Sequence, residues 1–125
     1  MLTLGIDPGL SGALALLNPD GTVVLLADLP TITDHRLKWI DGGELQSLLL
    51  VSILGRPCHA VIERASAMPR QGVASSFSFG VGFGSVLGVV QTLRLPLEFG
   101  TPAVWKRAMG VTADKKSSLH AARKR

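Results

Sequence analysis

The sequence lacks the features that define several large protein classes. It has one cysteine, Cys58, which excludes an internal disulfide framework and fits a reducing compartment, so we expect a cytoplasmic protein. No Cys/His cluster has the spacing of a zinc site. No uninterrupted apolar run reaches the roughly 18 residues that a bilayer span needs, and no secretory signal opens the chain. We therefore expect no membrane partner.

Internal repeats and low-complexity linkers are also absent. At 125 residues the chain is long enough to bury a real core and short enough to be one domain. We therefore treat residues 1–125 as a single domain.

Charge is distributed unevenly along the chain. Residues 1–63 hold three bases and seven acids, whereas residues 64–125 hold ten bases and two acids. A basic second half beside an acidic first half suits an enzyme that binds a polyanion. The alternative is a solvated basic helix without a partner.

Asp7 ends the first apolar run, and Pro8 and Gly9 follow it. Such a run predicts a buried strand, and Pro-Gly predicts a turn. A carboxylate at the end of a central strand is costly unless it is paired or holds a metal. An aspartate before Pro-Gly also commonly bonds nearby backbone, so both interpretations stay open for Asp7 alone.

Glu63 repeats the arrangement at the end of the apolar run 58–63. It could simply pair with Arg64. Neighbouring parallel strands, however, would bring Asp7 and Glu63 within reach of one divalent cation. Carboxylate oxygens suit hard cations, so we expect Mg²⁺, with Mn²⁺ as an alternative.

The first half of the chain predicts three strands and a helix. Strands at 2–7, 12–18 and 22–28 are joined by links too short for crossovers, so they form an antiparallel meander. Residues 29–40 are predicted as an irregular loop. Asp41 caps a helix, with Glu44 completing a capping-box pattern. The inner face of this helix comprises Leu45, Leu48, Leu49 and Ser52.

The second half begins with a strand at about 59–63 and a loop at 64–73. A long helix at about 74–92 then carries Gly80, Gly84 and Gly88 along one ridge, with Phe77, Phe79 and Phe83 alongside. The ridge either packs tightly on the sheet or forms a subunit interface, for which we expect Phe79, Gly80, Phe83 and Gly84. A strand at 96–99, a short helix from Pro102 and a last helix from Asp114 complete the prediction.

This order of elements is that of the ribonuclease H-like α/β fold, with a mixed five-stranded sheet flanked by helices. The chain resembles the RuvC-type Holliday junction resolvases, and their phage and prophage branch most of all. The resemblance is carried, in matching order, by Gly5-Ile6-Asp7-Pro8-Gly9, Ser11-Gly12-Ala13, Val61-Ile62-Glu63, the long helix, Pro102-Ala103-Val104-Trp105-Lys106 and Ala113-Asp114-Lys115-Lys116.

The resemblance implies a homodimer that cuts four-way DNA junctions with divalent metal held by four carboxylates. Asp7 and Glu63 match the first two carboxylates. Lys115 falls where the family places a basic residue near the cleaved phosphate, so it is a third catalytic candidate. The expected DNA contacts are Arg64, Met68, Arg70, Lys106, Lys115 and Lys116.

The chain departs from the family pattern in two places. The family's remaining carboxylates come from a C-terminal helix with an Asp-Ala-x-x-Asp-Ala-like pattern, and this sequence ends at Arg125 before any such helix. Asp114 reads as a helix N-cap instead. We therefore expect either part of a longer protein or an inactive relative. Residues 65–68 also lack the aromatic residue that some resolvases use to wedge the junction open. Met68 could serve as an apolar wedge in its place.

Three functional hypotheses follow. The first is a metal-dependent, structure-selective DNA endonuclease, and we expect its 125-residue form to be inactive if the remaining ligands are missing. The second is a DNA-binding module that kept the fold and lost catalysis. The third is an RNA nuclease of the YqgF type. An actin-like ATPase needs two such domains, which 125 residues cannot supply.

Overall fold

The structure is a computed structural model that describes residues 1–64 and 72–100. The elements follow one another as β1 (Leu2–Ile6), β2 (Ala13–Leu17), β3 (Val23–Asp28), β4 (Thr31–Asp34), β5 (Leu37–Ile40), α1 (Gly42–Ile53), β6 (Cys58–Glu63), α2 (Val73–Thr92) and β7 (Leu97–Gly100). The last two predicted helices, and most of the predicted loop at 64–73, lie outside the described residues.

The main sheet has five strands in the order β3-β2-β1-β6-β7. β1, β2 and β3 form the predicted antiparallel meander. β6 lies parallel to β1 and β7 parallel to β6, each reached through a helical connection, as parallel pairing requires. The predicted fold class, a mixed five-stranded sheet of the ribonuclease H-like type with helices, is confirmed.

The prediction of an irregular loop at 29–40 is wrong, because β4 and β5 form an antiparallel hairpin there. Its turn places two non-glycine residues, His35 and Arg36, at positive φ angles of 47° and 76°. Tight hairpin turns of this hand normally carry glycine or asparagine, so the sequence offered no hairpin signal. The hairpin stands apart from the main sheet and packs through β5 against α2.

Helix α1 begins where the sequence predicts, directly after Asp41. The Asp41 carboxylate accepts a hydrogen bond from the Glu44 backbone N–H at 3.0 Å, which caps the first turn. At the other end, the Arg56 guanidinium donates to the carbonyls of Ser52 and Ile53 at 2.8 and 3.0 Å. These bonds satisfy carbonyl groups that have no partner inside the helix.

The core lies between one face of the sheet and the two helices. Alternation along β1 and β6 sends Leu4, Ile6 and Ile62 into it, and all three are fully buried. α1 contributes Leu45, Leu49 and Ile53, and α2 contributes Val86, Val89 and Val90. Because odd-numbered residues of β1 point the other way, Asp7 belongs to the opposite face of the sheet.

Helix α2 does not use its glycine ridge to pack on the sheet. A Cβ atom added at Gly80, Gly84 or Gly88 would meet no atom of the described residues within 4 Å. The glycine that permits close approach is Gly82, where a Cβ would lie 3.3 Å from the Pro8 carbonyl oxygen. Of the two interpretations of the ridge, tight packing on the sheet is therefore wrong.

Helix α2 is also long and apolar enough to cross a membrane by length and composition, with a mean hydropathy of 1.7 over its most apolar window. The sequence criterion of an uninterrupted run missed it because serines and glycines interrupt the apolar residues. Only 17% of that window is buried. In this fold α2 connects two parallel strands of one sheet and packs on the core, and residues 1–64 and 72–100 leave one of its apolar sides uncovered.

Candidate functional site at the carboxyl edge of the sheet

Asp7 and Glu63 occupy matching positions on neighbouring central strands. β1 and β6 are parallel, with Ile6 paired to Ile62, so the next residue on each strand is a carboxylate. Neighbouring strands lie about 4.8 Å apart, and paired residues of parallel strands point to the same face. Both residues are half-buried. The structure thus provides two acidic side chains at one sheet edge, the arrangement that the sequence analysis expects for a metal site.

The turn after Asp7 is held tightly by backbone. The Asp7 N–H donates to the Ala13 carbonyl at 2.9 Å, and the Gly12 N–H donates to the Gly9 carbonyl at 2.8 Å. A Cβ atom at Gly12 would collide with the Asp7 carbonyl oxygen, so the turn accepts only glycine there. The position of Asp7 is therefore fixed by the backbone on both sides of the turn.

One Asp7 oxygen also interacts locally, because the Gly9 N–H lies 3.4 Å from Oδ1. This is a long hydrogen bond, beyond the usual range of 2.7–3.2 Å. The Asp7 carboxylate thus does bond nearby backbone, as the turn-forming interpretation expects, but through a weak hydrogen bond. Such a contact orients the carboxylate and leaves it acceptor capacity for a cation, since each ionised carboxylate offers about four lone-pair sites.

Helix α2 supports this turn from the side of the core. Pro8 is fully buried, and its carbonyl oxygen faces Gly82 of α2. Ile40, at the end of the hairpin, contacts the same position of the helix, where a Cβ at Gly82 would lie 3.6 Å from its Cγ1 atom. The turn behind Asp7 is therefore packed against both α2 and the hairpin.

A third acidic residue, Asp28, lies in the same row across the sheet. Ala13 bonds the Asp7 backbone, and Asp28 is the β3 partner of Ala13. Asp28 is two strands from Asp7, or about 10 Å, which is too far for both to ligate one ion. Within residues 1–64 and 72–100, no group of three or more His, Cys, Asp or Glu side chains could hold a metal.

Among the predicted DNA contacts, the structure describes Arg64. It follows Glu63 directly, is exposed, and donates its backbone N–H to the Gly100 carbonyl at 2.7 Å. Its side chain therefore starts at the same edge as the two carboxylates. The other predicted contacts and the third catalytic candidate lie outside the described residues, namely Met68, Arg70, Lys106, Lys115 and Lys116.

The predicted interface residues of α2 divide between two sides of the helix. Gly80 and Gly84 are exposed on the ridge. Phe83 packs against the core, where its ring stacks on Phe99 with centroids 5.8 Å apart, and Phe79 is half-buried. Phe77, which the sequence analysis placed alongside the ridge and outside the predicted interface set, is 70% exposed.

Comparison with known proteins gives a structural match only. No protein-family model matches the chain, and no curated protein matches its sequence. Among solved structures, the chain is similar to Thermus thermophilus RuvC in complex with a Holliday junction substrate, with 20% sequence identity and a TM-score of 0.59. A second structure of Thermus thermophilus RuvC matches with 18% identity and a TM-score of 0.57.

Each match covers 82% of this chain and 64% of the RuvC chain. The chain therefore spans less than two thirds of the length of these structures. At this level of identity the likeness concerns the fold. The element order, the mixed sheet and the paired carboxylates at its edge lead to one conclusion, that the chain has a RuvC-like, ribonuclease H-like fold.

Proposed function

We propose that this chain is a metal-dependent, structure-selective DNA endonuclease that resembles the Holliday junction resolvases and hydrolyses phosphodiester bonds in branched DNA. The observation that supports it best is the placement of Asp7 and Glu63 at matching ends of the two central parallel strands. The RuvC structure with the same fold is bound to a Holliday junction substrate. The ordered motifs of the sequence further favour the phage and prophage branch.

The two carboxylates fit a hard divalent cation such as Mg²⁺ or Mn²⁺, because both supply oxygen ligands from one face of the sheet. A bound cation would activate water and stabilise the leaving oxygen of the phosphodiester. The chain's own part is to fix the two carboxylates in register and to hold Asp7 with the Gly9 N–H. Residues 1–64 and 72–100 supply only two candidate protein ligands. We therefore expect these residues alone to bind the metal weakly.

DNA is the proposed partner because bases dominate the second half of the chain, with ten against two acids. Lys and Arg side chains that neutralise phosphates release counterions, so binding weakens steeply as salt rises. Arg64 begins this basic half at the candidate site itself. We propose that Met68, Arg70, Lys106, Lys115 and Lys116 complete the contact, with Lys115 near the cleaved phosphate.

We propose a homodimer that associates through the uncovered side of α2. Gly80, Gly84 and Gly88 leave a groove along the helix, and Phe77 stands 70% exposed beside it. A two-fold contact could pack the glycine ridge of one copy against the glycine ridge of the other. Two copies would also bring two candidate sites to the two strands of one junction.

A second candidate is a DNA-binding module without catalysis, which the presence of only two candidate ligands in the described residues favours. An RNA nuclease of the YqgF type is the third. These alternatives share the fold and differ in the reaction and the substrate. A cleavage assay that includes branched DNA, duplex DNA and RNA distinguishes all three.

The test is cleavage of a labelled four-way junction with Mg²⁺, with EDTA as the blank. We expect Asp7→Asn and Glu63→Gln each to abolish cleavage while junction binding persists. Asp28→Asn is the matched control, because Asp28 lies in the same row of the sheet but about 10 Å from Asp7. This variant should cleave the junction at the wild-type rate. Junction binding without cleavage by the wild type would support the DNA-binding module, and preferential cleavage of RNA would support the third candidate.

A further inference from the structure

A groove of about 420 Å³ opens between the hairpin, the first half of α2 and the turn that follows Asp7. Leu10, Ile40 and Gly82 are among the residues that line its inner part, and Trp39 and Phe77 are among those that line its outer part. The function proposed above leaves this groove unused. The hairpin that forms one wall was absent from the sequence prediction.

Two aromatic rings are accessible in the groove. Trp39 is 38% exposed and Phe77 is 70% exposed, although large aromatic side chains usually bury most of their surface. Exposed aromatic rings beside a positively charged surface are the usual platforms on which unpaired nucleic-acid bases stack. Stacking is insensitive to sequence, because every base has a π-face.

The charge of the groove matches an anionic strand. Arg36 and Lys38 line it, and none of the lining residues that the structure describes is acidic. This is notable because residues 1–63 hold seven acids and only three bases, two of which lie here. The two cations and both aromatic rings therefore line one groove, the combination that binds single strands.

The turn that lines the groove also follows the candidate site directly, although the Asp7 side chain belongs to the opposite face of the sheet. Leu10 lines the groove and is three residues from Asp7, a stretch of chain that spans at most about 11 Å. A strand whose phosphate lies at Asp7 would therefore pass the groove within about three nucleotides, at 3.4 Å for each nucleotide. A base can stack on the rings of this groove only if it is not held in a duplex, because a paired base is already stacked on its neighbours.

We propose that this groove binds an unpaired base of the DNA strand next to the site of cleavage, stacked against Trp39 and Phe77, with Arg36 and Lys38 on the flanking phosphates. The assignment rests on the proposed function in requiring DNA as the partner. It gives that function a physical basis for choosing branched DNA, because bases at a branch point unstack at lower cost than bases inside a duplex.

A second copy of the chain is the competing occupant. A two-fold contact through this groove would bring Arg36 and Lys38 of one copy towards those of the other, and like charges disfavour such a contact. The uncovered glycine ridge lies on a different side of α2 from Gly82, the groove-lining residue, so dimer formation leaves the groove accessible. Charge complementarity thus favours nucleic acid.

The test uses Trp39 as its own reporter. The chain has two tryptophans, so Trp105→Phe leaves Trp39 as the sole source of tryptophan emission. We expect a short oligothymidylate to quench that emission and a duplex of equal length to leave it unchanged. Trp39→Leu, which keeps apolar bulk, should weaken oligothymidylate and junction binding roughly 5- to 150-fold, with duplex binding unchanged. Trp39→Phe should restore most of the affinity, and Lys38→Gln should reduce the salt dependence.

Leu50→Ala is the control, because Leu50 is an exposed apolar residue on α1, away from the groove, and the variant should bind DNA normally. Unchanged Trp39 emission with oligothymidylate, or wild-type affinity in Trp39→Leu, would overturn the proposal. So would a dimer that dissociates in Trp39→Leu with DNA affinity intact, since the groove would then belong to a protein interface. Quenching by oligothymidylate without any preference for junctions would support the groove and refute the resolvase-like function.

Discussion

The glycine ridge of α2 allows a sharp test of assembly, through Gly84→Leu. A Cβ at Gly84 meets no described atom within 4 Å, so a larger side chain there should enter open space. Leucine has a higher helix propensity than glycine by about 0.8 kcal/mol. The monomer should therefore become slightly more stable, with a melting temperature about 2–6 °C higher for a domain of this size.

Association should respond in the opposite direction. If two copies pack α2 against α2 through the glycine ridge, the leucine of Gly84→Leu occupies the space that the partner helix needs. The dimer should then dissociate. Sedimentation velocity measures this directly. Circular dichroism melts are best compared at a concentration where both proteins are monomeric, because association itself stabilises the folded state by mass action.

Two further variants control for side-chain size and position. Gly84→Ala keeps a small residue and should retain the dimer while gaining about 1 kcal/mol of helix propensity. Gly82→Leu should unfold the protein, because a Cβ there already lies 3.3 Å from the Pro8 carbonyl oxygen. An unfolded Gly84→Leu variant would show that the ridge is covered, and a Gly84→Leu dimer of normal affinity would show that the interface lies elsewhere.

Three other predictions concern stability. Gly12→Ala should destabilise the fold by about 1–3 kcal/mol in urea titrations, because its methyl group collides with the Asp7 carbonyl; wild-type stability would contradict the tight turn. Leu49→Ala should lower the free energy of unfolding by about 2–5 kcal/mol, because Leu49 is fully buried. Leu50 next to it is exposed, so Leu50→Ala should change the free energy of unfolding by less than about 0.5 kcal/mol. Burial raises the pKa of the Cys58 thiol above its ordinary value, so folding favours the neutral thiol and the free energy of unfolding should fall as pH rises through the ordinary thiol range, about 8.5. Cys58→Ala should show a smaller fall in pH-dependent urea titrations, and identical pH profiles would refute this origin.

The sequence predicted those parts of the fold whose signals are local. The apolar runs ending at Asp7 and Glu63 and the cap at Asp41 gave correct elements, because strand alternation and capping depend on residues close in sequence. The antiparallel meander followed from its short links. The paired carboxylates followed from one further step, the expectation that their strands are neighbours.

The hairpin and the orientation of α2 could not be predicted in the same way. His35 and Arg36 adopt positive φ angles without glycine, so tertiary packing against α2 must favour a turn that local preferences disfavour. The side of α2 that faces the core depends on Gly82 meeting the Pro8 carbonyl, a contact between residues far apart in sequence. With apolar residues on all sides of the helix, periodicity could not identify the buried face.

The register between β1 and β6 also affects how the protein folds. Leu2 pairs with Cys58, a separation of 56 residues, so the central strand pair closes a long loop before it gains its contacts. The meander and α1 can form earlier from local interactions, while Asp7 and Glu63 stay apart. The two acidic side chains thus meet only in the closing step, so a divalent cation that both carboxylates bind should speed that step during refolding as well as stabilise its product.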